Sequence, residues 1–169
     1  LYTASKNSKK ATCVTTTGTG NEASEIYTIY PEKDTLWIGT GNQVQKFLLT
    51  RFIEESLEEP LVRYNTNARV EKMLRDRTGQ LWFLTGDALL KQSGNQAERI
   101  IETPETSPSL AIVASKPLME DHDGNLWLGT FGNGAYQVQP GSGNIFHYTH
   151  DASDPNSLSD NTVNCIFED

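Results

Sequence analysis

A chain of 169 residues, 36% of them apolar, is long enough to bury one ordinary core and is not disordered by composition. Its net charge of −8 and pI near 4.9 argue against a nucleic-acid surface, which needs clustered Lys and Arg. The longest apolar stretch, "LAIVA" at residues 110–114, is far short of the roughly 20 residues that span a bilayer.

The chain opens on "LYTASKNSKK", which has no apolar core of the kind an export signal carries, a fact of little weight in a piece of a longer protein. Residues 1–24 read instead as the tail of a repeating unit, with "LYTASKN" resembling a third strand. The units themselves are marked by tryptophan. "DTLWIGT", "GQLWFLT" and "GNLWLGT" place Trp37, Trp82 and Trp127, the only three in the chain, 45 residues apart. A period near 45 is shared by helical repeats and four-stranded propeller blades. Runs such as "LWIGT", "VQKFLL", "AYQVQ" and "IFHYTH" are rich in aromatic and β-branched residues and are separated by Gly, Asn, Asp, Pro and Ser, so strands are predicted. Only "FLLTRFIEESLEE" (47–59) has a pattern compatible with one or two helical turns.

Superposing the units, at about 25–68, 69–114 and 115–162, predicts one plan. An inner strand A ends at an acidic residue, as in "VEKMLRD" (70–76), "SKPLMED" (115–121) and, at the chain's end, "VNCIFED" (163–169), the first strand of a next blade. A tight turn, "RTG" or "HDG", leads into strand B with its tryptophan. Strand C follows at Val44, Leu89 or Ala135, and strand D is exemplified by "NIFHYTH". The fold class is therefore all-β: about four blades of antiparallel four-stranded meander, a partial propeller. Gly79 and Gly124 supply the positive-φ turn position that sets the A–B register, and Asp76 and Asp121 are placed to cap the turn amides. The indoles are expected to wedge between successive sheets, each able to bury roughly 150–250 Å², with Gly39 and Gly129 leaving room for the neighbour. A piece of about four blades leaves faces uncovered, so further blades or a partner copy are expected to supply contacts.

The motif "ED-x-x-G-x-LW-x-GT-x-x-x-G", carried by "MEDHDGNLWLGTFGNGAYQV" and followed by "NIFHYTHDASDPNSLSDNTVNCIFED", resembles the two-component regulator propeller repeat. The middle repeat departs from it with Leu84 at the core glycine, and the first with Asp34 at the turn glycine. Such repeats usually form the extracytoplasmic sensor of hybrid histidine kinases. The resemblance implies part of a seven-bladed ring in the periplasm, a β-sandwich, membrane helix and kinase elsewhere in the chain, a homodimer, and an oligosaccharide ligand whose binding regulates polysaccharide utilisation. It implies no cofactor and no catalysis by this segment. A polysaccharide-cleaving propeller and a protein-interaction propeller are the alternatives.

Other chemistry has weaker support. "DHDGN" (121–125) lacks the glycine and glutamate spacing of an EF-hand loop, so a turn is preferred to a calcium site. Glu120 with Asp121 and Glu168 with Asp169 are strand neighbours pointing to opposite faces, unsuited to a glycosidase pair. No nucleophile elbow accompanies His122, His147 and His150. Cys13 and Cys165 show no metal spacing and are expected to be small buried thiols. The candidate ligand site is one rim of the ring, where Phe131 would stack on a sugar while Asn133, His150, Asp151 and Asn161 hydrogen-bond its hydroxyls. Against this, the loop "DPNSLSDN" reads more readily as a self-contained turn.

Overall fold

The computed structural model describes residues 25–49, 60–102 and 117–169, together with the backbone of two short strands near the N-terminus. The possible helical turns of 50–59, the "LAIVA" run and the Cys13 side chain lie outside the described residues. Among the described residues fourteen strands occur: β1 (Tyr2–Ala4), β2 (Ala11–Cys13), β3 (Thr28–Glu32), β4 (Thr35–Gly39), β5 (Gln43–Leu48), β6 (Val62–Asn65), β7 (Val70–Arg75), β8 (Leu81–Thr85), β9 (Ala88–Ser93), β10 (Gln96–Glu102), β11 (Leu118–Glu120), β12 (Leu126–Gly129), β13 (Ala135–Gln139) and β14 (Asn144–Tyr148). β1 and β2 form a hairpin, and the other twelve form three four-stranded sheets whose strands neighbour one another in chain order. These are antiparallel meanders, the blades of a partial propeller.

The chain divides into two compact units, Leu1–Val70 with Ser93–Ala97, and Glu71–Gln92 with Glu98–Asp169. In the first unit, register places Tyr30, Trp37, Lys46 and Val62 in one row and Thr28, Gly39, Val44 and Tyr64 in the next row on the same face. Trp37 is 1% exposed. Its ring is covered from within its own sheet, by the Tyr64 ring stacked at 6.1 Å and the Lys46 ammonium at 4.8 Å. Leu36 and Ile38 point the other way into a small cluster with Ile26, Phe47 and Leu49, the alternation that a strand's period of two demands.

In the second unit, Trp82 lies in one apolar cluster with Leu89 and Ile101 and with Leu126, Leu128 and Val138 of the β11–β14 sheet. Here an indole does fill the space between two sheets. Trp127 is only half-buried. It shares its row with Met119, Gln137 and Phe146, and Tyr148 stacks on it at 5.5 Å. Every residue of β14 is exposed.

Residues 163–169 lie outside the strands, but their contacts repeat those of strand A: Val163 N donates to Thr130 O at 2.9 Å, as Val70 N does to Thr40 O at 3.0 Å, and the Glu168 carboxylate accepts the His122 amide at 2.8 Å. One expectation is corrected. Cys165 is exposed, not buried, and is a free thiol.

Candidate functional site

Three local devices, repeated along the chain, build the site. The first is the A–B turn. Asp76 Oδ1 accepts the amides of Thr78 and Gln80, each at 2.9 Å, and Asp121 Oδ1 those of Asp123 (3.0 Å) and Asn125 (2.7 Å). The other carboxylate oxygen takes the indole N–H of the strand that follows, Trp82 to Asp76 at 2.8 Å and Trp127 to Asp121 at 2.7 Å. Gly79 and Gly124 sit at φ of 88° and 85°, the left-handed position that closes a three-residue hairpin loop. One carboxylate thus fixes the turn and aims the tryptophan. Partial burial works against its ionisation, but the Thr78 hydroxyl, the Trp82 indole and the turn amides hold Asp76 below its ordinary value, and Asp121 is held low in the same way.

The first repeat reaches the same end differently. Glu32 pairs with Thr35 across a two-residue turn in which Lys33 adopts φ of 48°. The acid therefore stands five rather than six residues before the tryptophan, and the longer glutamate spans the difference, accepting the Trp37 indole at 3.0 Å.

The second device is the threonine of "GT". Thr40, Thr85 and Thr130 are each 1% exposed or less. Their hydroxyls close the turn between strands B and C: Thr40 with Gln43 N and O, Thr85 with Ala88 N and O, Thr130 with Asn133 N and Gly134 O. A buried hydroxyl that both donates and accepts is fully satisfied, as burial requires.

The third device is the close approach at the core glycine. A Cβ on Gly39 would stand 2.6 Å from Thr28 Cγ2 and 2.8 Å from Val70; one on Gly129 would stand 2.6 Å from Pro117 and 2.7 Å from Val163 O. Each valine amide donates to the threonine beside that glycine, Val70 N to Thr40 O at 3.0 Å and Val163 N to Thr130 O at 2.9 Å. In the middle repeat Leu84 stands at this place, fully buried.

The rim candidates occur at the third repeat. The carbonyl of Asn161 accepts from Gly132 N (3.1 Å) and Gly134 N (2.7 Å), and its side-chain oxygen accepts from His150 N at 2.6 Å. The 149–162 loop is thereby stitched to the β12–β13 turn, bringing Asn161, His150 and the segment bearing Phe131 and Asn133 together. Asn133 spends its amide on Tyr136 Oη at 2.6 Å, and its carbonyl meets His147 Nε2 at 2.7 Å. Asp151 stays within its own turn, with Oδ1 accepting the Ser153 amide (2.8 Å) and hydroxyl (2.7 Å). Those bonds, with a smaller contribution from the nearby His150, hold its pKa below the ordinary value. His150 Nδ1 lies 2.6 Å from Leu158 O. The loop is thus largely self-satisfied. What it presents outward is Phe131, 54% exposed; His150 and Asp151 are exposed as well.

Sequence reasoning placed the aspartates on the turn amides but missed the indole bond, the buried threonines and the tyrosines stacked on Trp37 and Trp127. The 45-residue recurrence of Thr40, Thr85 and Thr130 was a usable signal for the threonines. Among the described residues no group of three His, Cys, Asp or Glu is gathered to hold a metal ion, and no helix is long and apolar enough to cross a membrane.

Residues 117–132, which contain the third A–B turn and strand B, match the family model described as "Two component regulator propeller". The whole chain is similar in structure to the extracellular domain of BT4673 from B. thetaiotaomicron. One crystal structure, titled as a one-component system, gives a TM-score of 0.66 at 24% identity over 100% of this chain. Another, titled as a hybrid two-component system, gives 0.63 at 25% identity over 96%. The chain spans only about a fifth of those proteins, 22% and 21% of their lengths. No curated protein matches. Residues 117–132 thus match the two-component regulator propeller repeat, and the sheets around them have the form of propeller blades.

Proposed function

We propose that this chain is part of the extracytoplasmic, periplasmic sensing propeller of a hybrid two-component system, and that it binds an oligosaccharide derived from a larger glycan. The match over residues 117–132 and the likeness to the extracellular domain of BT4673 support the sensory reading. The remaining blades, a β-sandwich, a membrane anchor and the kinase belong to the rest of the protein, which acts as a homodimer. Ligand bound at the rim favours one arrangement of that dimer, and the difference in affinity between arrangements is the signal.

The observation that carries the ligand assignment is Phe131: a ring 54% exposed on a turn held by the Asn161 carbonyl. Such a ring is a ready platform for the apolar face of a pyranose, with polar groups at its edge to fix orientation. Calorimetric titration of the whole sensor with a panel of oligosaccharides tests this, with product analysis of the same mixtures to detect cleavage. Binding without cleavage is expected. Phe131→Ala is expected to weaken it about tenfold, equivalent to about 1.4 kcal/mol, without lowering Tm. No heat across the panel, or unchanged affinity in the variant, defeats the assignment.

A further inference from the structure

The Glu-Asp pairs have a division of labour that neither a catalytic nor a purely local reading anticipates. In "ED" at 120–121 the aspartate serves its own turn, whereas the glutamate reaches back to the turn one repeat earlier. Glu120 accepts the backbone amide of Arg77 at 2.9 Å and its Nε at 2.8 Å. The Arg77 guanidinium also donates to the carbonyls of Asp121 and His122. The pair at 168–169 repeats the move: Glu168 Oε2 accepts the amide of His122 at 2.8 Å, and its Oε1 meets His122 Nδ1. Arg77 and His122 hold the same position, directly after the turn aspartate. One clasp is closed by a guanidinium that never titrates, the other by an imidazole that does.

We propose that His122 and Glu168 form a proton-dependent clasp that holds the 163–169 segment to the 121–125 turn, tight when the imidazole is protonated and loosened when it is neutral. Neutral histidine donates one N–H only, while the cation donates both and adds charge attraction. The groups around the ring reinforce the charged form: Glu168 on Nδ1, Asp123 with Oδ1 3.4 Å from Nε2, and Asp121 behind. Among the described residues the nearby cation is Arg77, which contacts the His122 backbone carbonyl and is itself paired with Glu120. The hydrogen bond to Glu168, then the charges of Asp123 and Glu168, raise the imidazole pKa above its ordinary 6.5, and slight desolvation opposes them. A raised folded-state pKa means the protonated clasp is fully present below about 6.5 and is lost as pH rises through the raised value. The device acts on the 163–169 segment, whose Val163 stands against Gly129.

The test is done on a protein containing the whole chain, by NMR titration of the His122 ring and by hydrogen exchange of the His122 amide, the proton that Glu168 Oε2 accepts. In the wild type the ring is expected to titrate above the ordinary histidine value, and Glu168→Gln should return it towards that value. Amide protection, corrected for intrinsic exchange, is expected to fall about two- to fivefold between about pH 5.5 and pH 8.5, the range of an exposed ion pair. His122→Arg, which copies the Arg77 clasp, should hold protection high at both. A ring that titrates normally, or wild-type protection as flat with pH as that of the arginine variant, overturns the proposal.

Discussion

Trp82 and Trp127 have the same partner and different fates. Each donates its indole N–H to the aspartate six residues earlier, at 2.8 and 2.7 Å. Yet Trp82 is 2% exposed and packed among Leu126, Leu128 and Val138, whereas Trp127 is half-buried beneath Tyr148. The turn therefore aims the ring and fixes its polar edge, while the deeper burial of Trp82 comes from the Leu126, Leu128 and Val138 side chains packed against it. Substitution should separate the two contributions. Trp82→Ala is expected to cost about 3 to 5 kcal/mol, a core aromatic deleted from between two sheets. In this chain by itself Trp127→Ala should cost less, about 2 kcal/mol, since part of its surface is already in water. Denaturant unfolding of both variants measures this, and equal losses would mean that Trp127 is buried as deeply as Trp82.

The glycine two residues after the tryptophan sharpens the same contrast. At Gly129 a Cβ would stand 2.7 Å from a backbone oxygen, Val163 O, which cannot swing aside as a side chain can. Gly129→Ala is expected to destabilise by about 1 to 3 kcal/mol through overpacking and to weaken the Val163 amide's bond to Thr130, visible as faster exchange of that amide. Leu84→Gly in the middle repeat, where the side chain is fully buried, should also destabilise, by cavity formation rather than by relief of crowding. A Leu84→Gly variant more stable than wild type would show that the leucine is a strained intruder.

These contrasts also mark what could be read before the fold was seen. The strand plan was legible because a 45-residue period in tryptophan is set by repeated sheet packing, and β7, β8, β9, β12, β13 and β14 fall where aromatic runs and Gly-containing turns place them. The turn aspartates were legible for the same reason, since a short acceptor before an x-x-Gly loop has few other uses. The reach of Glu120 and Glu168 to the previous turn was not, because a contact across 43 or 46 residues leaves no local pattern. The substitution of Glu32 for aspartate was also hidden. Its meaning depends on a turn shortened by one residue, and a positive φ at Lys33 has no compositional signature. The rim was legible as a cluster but its internal bonding was not: Asn133 to Tyr136, Asp151 to Ser153 and Asn161 to His150 are contacts that no local sequence pattern displays.

The smallest effect distinguishes the two roles of the turn aspartate. Asp76→Asn keeps an oxygen for the Thr78 and Gln80 amides but removes the charge and turns an NH2 towards the Trp82 indole N–H, which loses its acceptor; losing a charged acceptor costs at least about 1 kcal/mol. A loss of about that size is expected at neutral pH. The variant also predicts a change in acid behaviour. Asp76 and Asp121 both have folded-state pKa values below their ordinary 3.8, so the stability they contribute is complete above that value and is lost as pH falls through the lowered ones. Unfolding free energy of the wild type should therefore decline steeply below about pH 3.8, and Asp76→Asn should decline less, because one of the two titrating turns is gone. If the two profiles ran parallel, the acid loss would come from groups other than Asp76.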